Sequence, residues 1–178
     1  MKIYTRSGDD GKTNLFSGKR VNKHNKRIIA YGSVDELNSV MGIVRDFSPK
    51  KHKDEIFIIQ NKLMIIASQL SNDKNHKNVP KISKKDTELL ENSIDRMTSK
   101  LDPLKNFIIP GGNKLVSFTH LARCVCRRAE TNITKLKEKE DLNQEILLFI
   151  NRLSDYLFTL ARFFSKTLNV SELKWNAE

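Results

Sequence analysis

From residue 34 onward, apolar side chains recur every three or four positions, the spacing that lines one face of a helix. Val34, Leu37, Val40 or Met41, Val44 and Phe47 make the first stripe. Ser33, with Glu36 three residues on, has the form of a capping box, so the pattern predicts a helix that starts at Ser33 and closes at Ser48-Pro49. A second helix is predicted over about 54–70, where Ile56, Phe57, Ile59, Leu63, Ile66 and Leu70 spread over more than one face. Breadth of that kind marks a helix buried between neighbours. Residues 71–85 form a polar, Lys- and Asn-rich link that reads as a mobile loop. A modest amphipathic helix follows over 86–101, with Leu90, Ile94, Met97 and Leu101 on one face. Pro103 interrupts the period, and Phe107-Ile108-Ile109-Pro110-Gly111-Gly112 reads as a tight apolar turn. Long helices are predicted over 113–137, through Leu115, Phe118, Ala122, Val125, Ala129, Ile133 and Leu136, and over 143–168, through Ile146, Ile150, Leu153, Leu157, Leu160 and Phe164. The tail over 169–178 holds the only tryptophan, Trp175.

The first thirty residues carry no such period. Gly8, Gly11 and Gly18 punctuate them and Ser, Thr, Asn and Asp fill the gaps, which predicts a structured loop or a short hairpin. The expected fold class is therefore all-α: a five-helix bundle with an N-terminal loop. One domain is expected over 1–178, with the loop over 1–30, the bundle over 33–168 and the tail after it. Seven Gly and four Pro leave little turn material, which agrees with long helices. There is no internal repeat, no βαβ rhythm and no P-loop signature, so Rossmann and P-loop domains are disfavoured.

Composition narrows the setting. A chain of 178 residues suits one core, and 38% apolar residues are too many for a disordered chain. No apolar run approaches the roughly 20 residues that span a bilayer. The first ten residues hold no apolar signal segment, so a cytoplasmic protein is expected. Cys124 and Cys126, two positions apart, would point roughly 200° from each other on a helix. They can neither pair nor share a metal, and read as two packed thiols in a reducing compartment. The formal charge of +11 is uneven: Lys2, Arg6, Lys12, Lys19, Arg20, Lys23, Lys26 and Arg27 face only Asp9 and Asp10 in the first thirty residues. Interleaved with Gly and Thr, that cluster suits phosphate as well as it suits a solvated surface. Nucleic-acid binding rests on the charge alone, since the basic stretch lacks interleaved aromatics.

On the fourth helix Arg123, Arg127 and Glu130 follow steps of four and three and share a face, with Arg128 to the side. Guanidiniums on a rigid helix suit bidentate capture of phosphate or carboxylate; a solvated charged stripe is the plainer reading, and the residues alone leave both open. Asn151 and Asp155, one turn apart among apolar residues, either cap an interface or reach a ligand. Asp35, in the first turn of its expected helix, could simply answer the helix dipole. Phe107 could be plain core at its turn. His24, His52, His76 and His120 are scattered, three of them in expected loops, and read as surface or packing residues. No hydrolase triad and no protein metal cluster has candidate residues.

Five blocks, in order, resemble the PduO-type ATP:cob(I)alamin adenosyltransferases. They are Tyr4-Thr5-Arg6-Ser7-Gly8-Asp9-Asp10-Gly11 with Gly18-Lys19-Arg20-Val21-Asn22-Lys23, then Tyr31-Gly32-Ser33-Val34-Asp35-Glu36-Leu37-Asn38, then the turn at 107–112. His120-Leu121-Ala122-Arg123-Cys124-Val125-Cys126-Arg127-Arg128-Ala129-Glu130 and the segment 150–158 complete the set. The resemblance implies a homotrimer of five-helix bundles with sites between subunits. Cobalt(I) of reduced cobalamin would attack the 5′ carbon of ATP, giving adenosylcobalamin and triphosphate, with Mg2+ carried on ATP. It further implies that Thr5, Arg6, Ser7 and Gly8, with Thr13 and Asn14, wrap ATP and that Lys23 reaches its phosphates. Arg127, Arg128, Glu130 and Asn151 would be the nucleotide contacts on the helices. Arg123 and Asp35 resemble a pair bridging two subunits beside the cobalamin. Phe107 resembles the aromatic that fills the lower corrin face and leaves cobalt four-coordinate. Ser7 stands where the family often has Thr and keeps the hydroxyl, while Lys12 adds a charge near the loop. A reductase and a B12-dependent acceptor enzyme would be partners; nucleic acid and membrane would not. The alternative is a non-enzymatic cobalamin carrier or delivery module of the same fold.

Overall fold

A computed structural model describes residues 2–74 and 76–176. Its elements run β1 (Lys12–Asn14), β2 (Arg20–Asn22), α1 (Lys26–Phe47), α2 (Lys50–Ser71), α3 (Lys84–Thr98), β3 (Ile108–Ile109), α4 (Lys114–Lys137), α5 (Gln144–Thr167) and β4 (Leu173–Lys174). The all-α bundle expected from the periodicity is present, with two antiparallel ladders added, β1 with β2 and β3 with β4. No helix among the described residues is long and apolar enough to cross a membrane.

The core explains the helix order. α4 packs against both α1 and α5, α1 also against α2, and α5 also against α3. Val125, Cys126, Ala129 and Ile133 of α4 meet Leu37, Met41 and Val44 of α1 and Phe149, Ile150, Leu153 and Leu157 of α5 in one buried cluster. Each fully buried aliphatic or aromatic side chain there stabilises the fold by roughly 1.5–3 kcal/mol. The alanines at 30, 122, 129 and 161 are fully buried and let the helices approach closely.

Helix starts correct the sequence reading in three places. α1 begins at Lys26, not Ser33: the Asn25 side chain caps it, accepting from the Arg27 N–H at 2.9 Å. Ser33 is a buried mid-helix residue whose hydroxyl donates to the Ala30 carbonyl at 2.7 Å. Burial of Ala30 and Val34 carries the helix through Gly32, whose intrinsic cost is only about 1 kcal/mol. The early start is fixed by Arg27, 4% exposed, whose guanidinium donates to the Leu70 carbonyl at 2.6 Å and pairs with Glu140 at 2.9 Å. α2 begins at Lys50, directly after Pro49, so His52 lies on a helix rather than in a loop, edge-on to Phe163 and Phe164. α3 begins at Lys84, where Asp86 accepts from the Ser83 N–H at 2.8 Å.

The link between α2 and α3 is anchored rather than loose. Asn72 is buried and accepts from the His76 N–H at 3.0 Å while donating to its carbonyl at 3.1 Å, and Val79 and Ile82 are buried. Asn75 of that link, the tail residues 177–178 and Met1 lie outside the described residues. The two cysteines differ. Cys126 is buried with its thiol donating to the Ile150 carbonyl at 3.3 Å, whereas Cys124 is exposed and so is not the packed thiol expected.

Asn25→Ala is expected to lower the unfolding free energy by about 1 kcal/mol and the melting temperature by about 2–4 °C, because the α1 cap is lost. Ser33→Ala, at the position where the pattern alone puts the cap, should shift stability by less than ~0.5 kcal/mol. Thermal unfolding followed by circular dichroism separates the two; equal effects would contradict the observed helix start.

Candidate active site

The N-terminal segment folds on itself. β1 and β2 pair Lys12 with Asn22, Thr13 with Val21 and Asn14 with Arg20. Arg20 bridges the strand to the preceding turn: it pairs with Asp10 at 2.8 Å, donates to the Ser7 carbonyl, and reaches the Asn14 side chain at 3.5 Å. Desolvation, the largest single influence, raises the Asp10 carboxyl, but that guanidinium, the Lys12 N–H and the two positive charges together hold it below its usual range. Thr5 and Ser7 hydroxyls lie 2.7 Å apart, with Arg6 between them at a left-handed φ of 60°. Lys23 folds back over Gly8: its Nζ sits 3.2 Å from where a Cβ on Gly8 would stand. Glycine is what lets the ammonium approach that backbone. Among the described residues neither the Lys23 ammonium nor the Gly8 N–H has a hydrogen-bond or ion-pair partner. The Gly11 N–H, by contrast, donates to the Gly8 carbonyl at 3.2 Å.

The second group is on α4 and α5. Packing of Val125, Cys126 and Ala129 inward turns Arg127 outward, where its guanidinium is exposed and has no partner among the described residues. One helical step further, Glu130 accepts from the Asn151 side chain at 2.9 Å, which ties α4 to α5. Arg128 does not lie free: it pairs with Glu36 of α1 at 2.6 Å. Nothing in the sequence sets those two positions opposite each other, and the pair was missed. Asp155 pairs with Arg152 at 2.8 Å.

Asp35 is exposed and mid-helix, so the helix-dipole explanation for it falls with the earlier start of α1. It forms no ion pair with Arg123 within the described residues of one chain. Arg123 is half-buried, its Nε enclosed without a partner and its Nη2 3.5 Å from the Cys124 sulfur. Beside it His120 is 4% exposed, edge-on to Phe158. Burial first, then the Arg123 charge, push the imidazole down to about 4, so it is neutral in the folded protein.

Phe107 is not core: it is 77% exposed. It directly precedes β3, whose Ile108 and Ile109 pair with Lys174 and Leu173 of the tail. Its carbonyl accepts from the Trp175 N–H at 2.8 Å, and the two rings meet edge to face at 6.2 Å. Behind this ladder lies a cavity of about 570 Å³ lined in part by Asn106, Ile108, Arg162, Lys166 and Glu172. The ladder joins two dipeptides far apart in sequence, and no local signal announced it.

Two half-sites result, the loop of Thr5–Gly8 with Lys23, and the face of Arg127, Glu130 and Asn151. No hydrogen bond or ion pair among the described residues joins them within one chain. Among the described residues no three of His, Cys, Asp and Glu converge to hold a metal ion.

Unpaired cations beside open glycine backbone suit the capture of a polyanionic small molecule. The chain belongs to the cobalamin adenosyltransferase family, whose match covers residues 3–164. It is 39% identical over 166 residues to the corrinoid adenosyltransferase PduO of Salmonella typhimurium, covering 91% of this chain and 49% of that one. The chain thus spans about half the length of that relative. It is 34% identical over 180 residues to the corrinoid adenosyltransferase of Bacillus subtilis, covering 98% and 92%. Among solved structures, a phenylalanine-to-alanine variant of a PduO-type ATP:corrinoid adenosyltransferase from Lactobacillus reuteri, complexed with cobalamin and ATP, superposes with a TM-score of 0.93 at 35% identity. That similarity covers 99% of this chain and 100% of the other.

The neutral His120 makes stability depend on pH. The unfolded chain takes up a proton near pH 6.5 that the native fold refuses, so stability is lost as pH falls below that value toward 4. Between pH 6.5 and 5 the loss should be about 2 kcal/mol. Urea unfolding across this window should show a flatter profile for His120→Gln; parallel profiles would mean that His120 takes up its proton equally in the folded and unfolded chain.

Proposed function

We propose that the chain transfers the 5′-deoxyadenosyl group of ATP to cob(I)alamin, giving adenosylcobalamin and triphosphate. The observation that carries the reading is the Arg127 guanidinium, carried on a rigid helix with no carboxylate to answer it among the described residues, in a fold matching one solved with cobalamin and ATP. The cobalt(I) lone pair forms the bond to C5′, and the C5′–O bond breaks with its electron pair leaving on triphosphate. Cobalt(I) is itself the nucleophile, so the protein needs no nucleophilic side chain or histidine base. Its work is to align the partners and to neutralise the leaving group.

Thr5, Arg6, Ser7 and Gly8, with Thr13 and Asn14, wrap the nucleotide, and Lys23, poised over Gly8, meets its phosphates. Arg127 answers the charge that develops on triphosphate, and the Glu130–Asn151 pair orients the nucleoside. Arg128, paired with Glu36 at 2.6 Å, stands beside them as a further nucleotide contact. Mg2+ bound on the ATP phosphates would share the neutralisation of triphosphate.

In this reading the two half-sites belong to neighbouring chains of a homotrimer, with Asp35 and Arg123 pairing across the interface. The half-buried, unanswered Nε of Arg123 and the exposed Asp35 support that assignment. Phe107 packs against the lower corrin face and excludes the axial nitrogen ligand, which makes cobalt(I) more accessible. A reductase supplies the electron and a B12-dependent enzyme takes the product in the cytoplasm. An enzyme and a passive carrier part on turnover.

Incubation with ATP and chemically reduced cobalamin should produce the adenosylcobalamin spectrum; binding without conversion would favour the carrier. Arg127→Ala should cost about 2–4 kcal/mol in kcat/KM, with little recovery in Arg127→Lys, which lacks the planar fork. A loss below about twofold would make Arg127 merely structural.

A further inference from the structure

The segment that carries Phe107 has almost no structure of its own. β3 is two residues long, and the stretch before it from Leu101 runs through Pro103 without regular backbone. An exposed ring on such a segment keeps one orientation only if other elements hold it.

Three contacts do so, and they converge on the tail. In the middle, β4 pairs with β3 and the Trp175 N–H closes on the Phe107 carbonyl at 2.8 Å. On the far side, Gly112 has φ +91°, and a Cβ there would stand 2.6 Å from Val170 Cγ1, so the turn and the start of the tail are in direct contact. On the near side is Arg162 of α5. Its Nε donates to Glu172 Oε1 at 3.0 Å and its Nη2 approaches Glu172 Oε2 at 3.4 Å, a two-pronged grip on the tail one residue before β4. The same Nη2 donates to the Asp102 carbonyl at 3.0 Å, at the root of the Phe107 segment. The Arg162 and Glu172 side chains are 12% and 26% exposed, so the pair is shielded from water and salt more than the surface pairs elsewhere on the molecule.

One guanidinium on a rigid helix thus holds both the segment that bears Phe107 and the strand that braces it. We propose that Arg162 is a positioning residue for the reaction, setting the orientation of Phe107 through Glu172 and Asp102 without touching either substrate. Lysine cannot replace it, because only the planar fork reaches a carboxylate and a carbonyl together. The inference rests on the role given to Phe107 above.

The test compares Arg162→Met, Arg162→Lys, Glu172→Gln and Phe107→Ala with wild type by two measurements. Backbone amide exchange of 105–110 and 170–176, in the enzyme with ATP bound, reads whether the tail is docked. Electron paramagnetic resonance of bound cob(II)alamin reads the four-coordinate fraction. Arg162→Met and Glu172→Gln should speed exchange in both segments and lower the four-coordinate fraction severalfold, with ATP affinity unchanged and Arg162→Lys restoring little of either. Phe107→Ala should lower the fraction while exchange in the tail stays slow. If Phe107→Ala lowers the fraction but both tail-releasing variants keep the wild-type value, Arg162 has no positioning role. Unchanged exchange in those variants would overturn it equally. If Phe107→Ala itself matches wild type, the role of Phe107 fails first and that of Arg162 with it.

Discussion

The rotation of α4 about its own axis is the constraint on which the rest depends. Val125, Cys126, Ala129 and Ile133 must be buried between α1 and α5, and that burial leaves one orientation for the remaining faces. Arg127 then faces away from the core, and Glu130 falls within 2.9 Å of Asn151 on α5. Arg128, one residue on, meets Glu36 of α1 at 2.6 Å and reinforces the same rotation from outside. Close-packed cores tolerate little slippage, so a helix locked on two sides fixes the backbone positions from which its arginines project.

This arrangement suits a reaction whose reagents bring their own reactivity. The proposed corrinoid adenosyl transfer pairs a strong metal nucleophile with a polyphosphate leaving group, and in that reading positioned donors take the place of side-chain acid–base chemistry. The buried imidazole of His120 fits that economy, since it is held neutral near the arginine face and offers no proton to the site. Unpaired cations would be poorly placed in a structural role. Arg27, Arg162 and Arg96 each have a carboxylate, whereas Arg127 and Lys23 have none among the described residues.

Much of the fold was legible because its signals are local. Asn113 and Asn143 cap α4 and α5, accepting from the N–H groups of Leu115 and Glu145, and the apolar period behind each cap is unbroken. The face shared by Arg123, Arg127 and Glu130 followed from helix spacing alone. The start of α1 was misread because Gly32 and Ser33 look like a break, while the burial of Arg27 that overrides them depends on Leu70 and Glu140, far away in sequence. Tertiary pairing also hid the β3–β4 ladder, the Arg128–Glu36 tie and the exposure of Phe107. A two-residue strand carries no period, and an aromatic in an apolar run looks like core until its partner strand is seen.

The proposal that each site is shared by two chains is tested most directly by subunit complementation. Lys23→Ala disables the loop half of the site and Arg127→Ala the helix half. Co-assembled in equal amounts, two such variants that are individually inactive should recover about one quarter of wild-type turnover, because about one site in four then pairs an intact loop with an intact helix face. Turnover that stays at the level of the separate variants would place both halves of the site within a single chain and contradict the shared site.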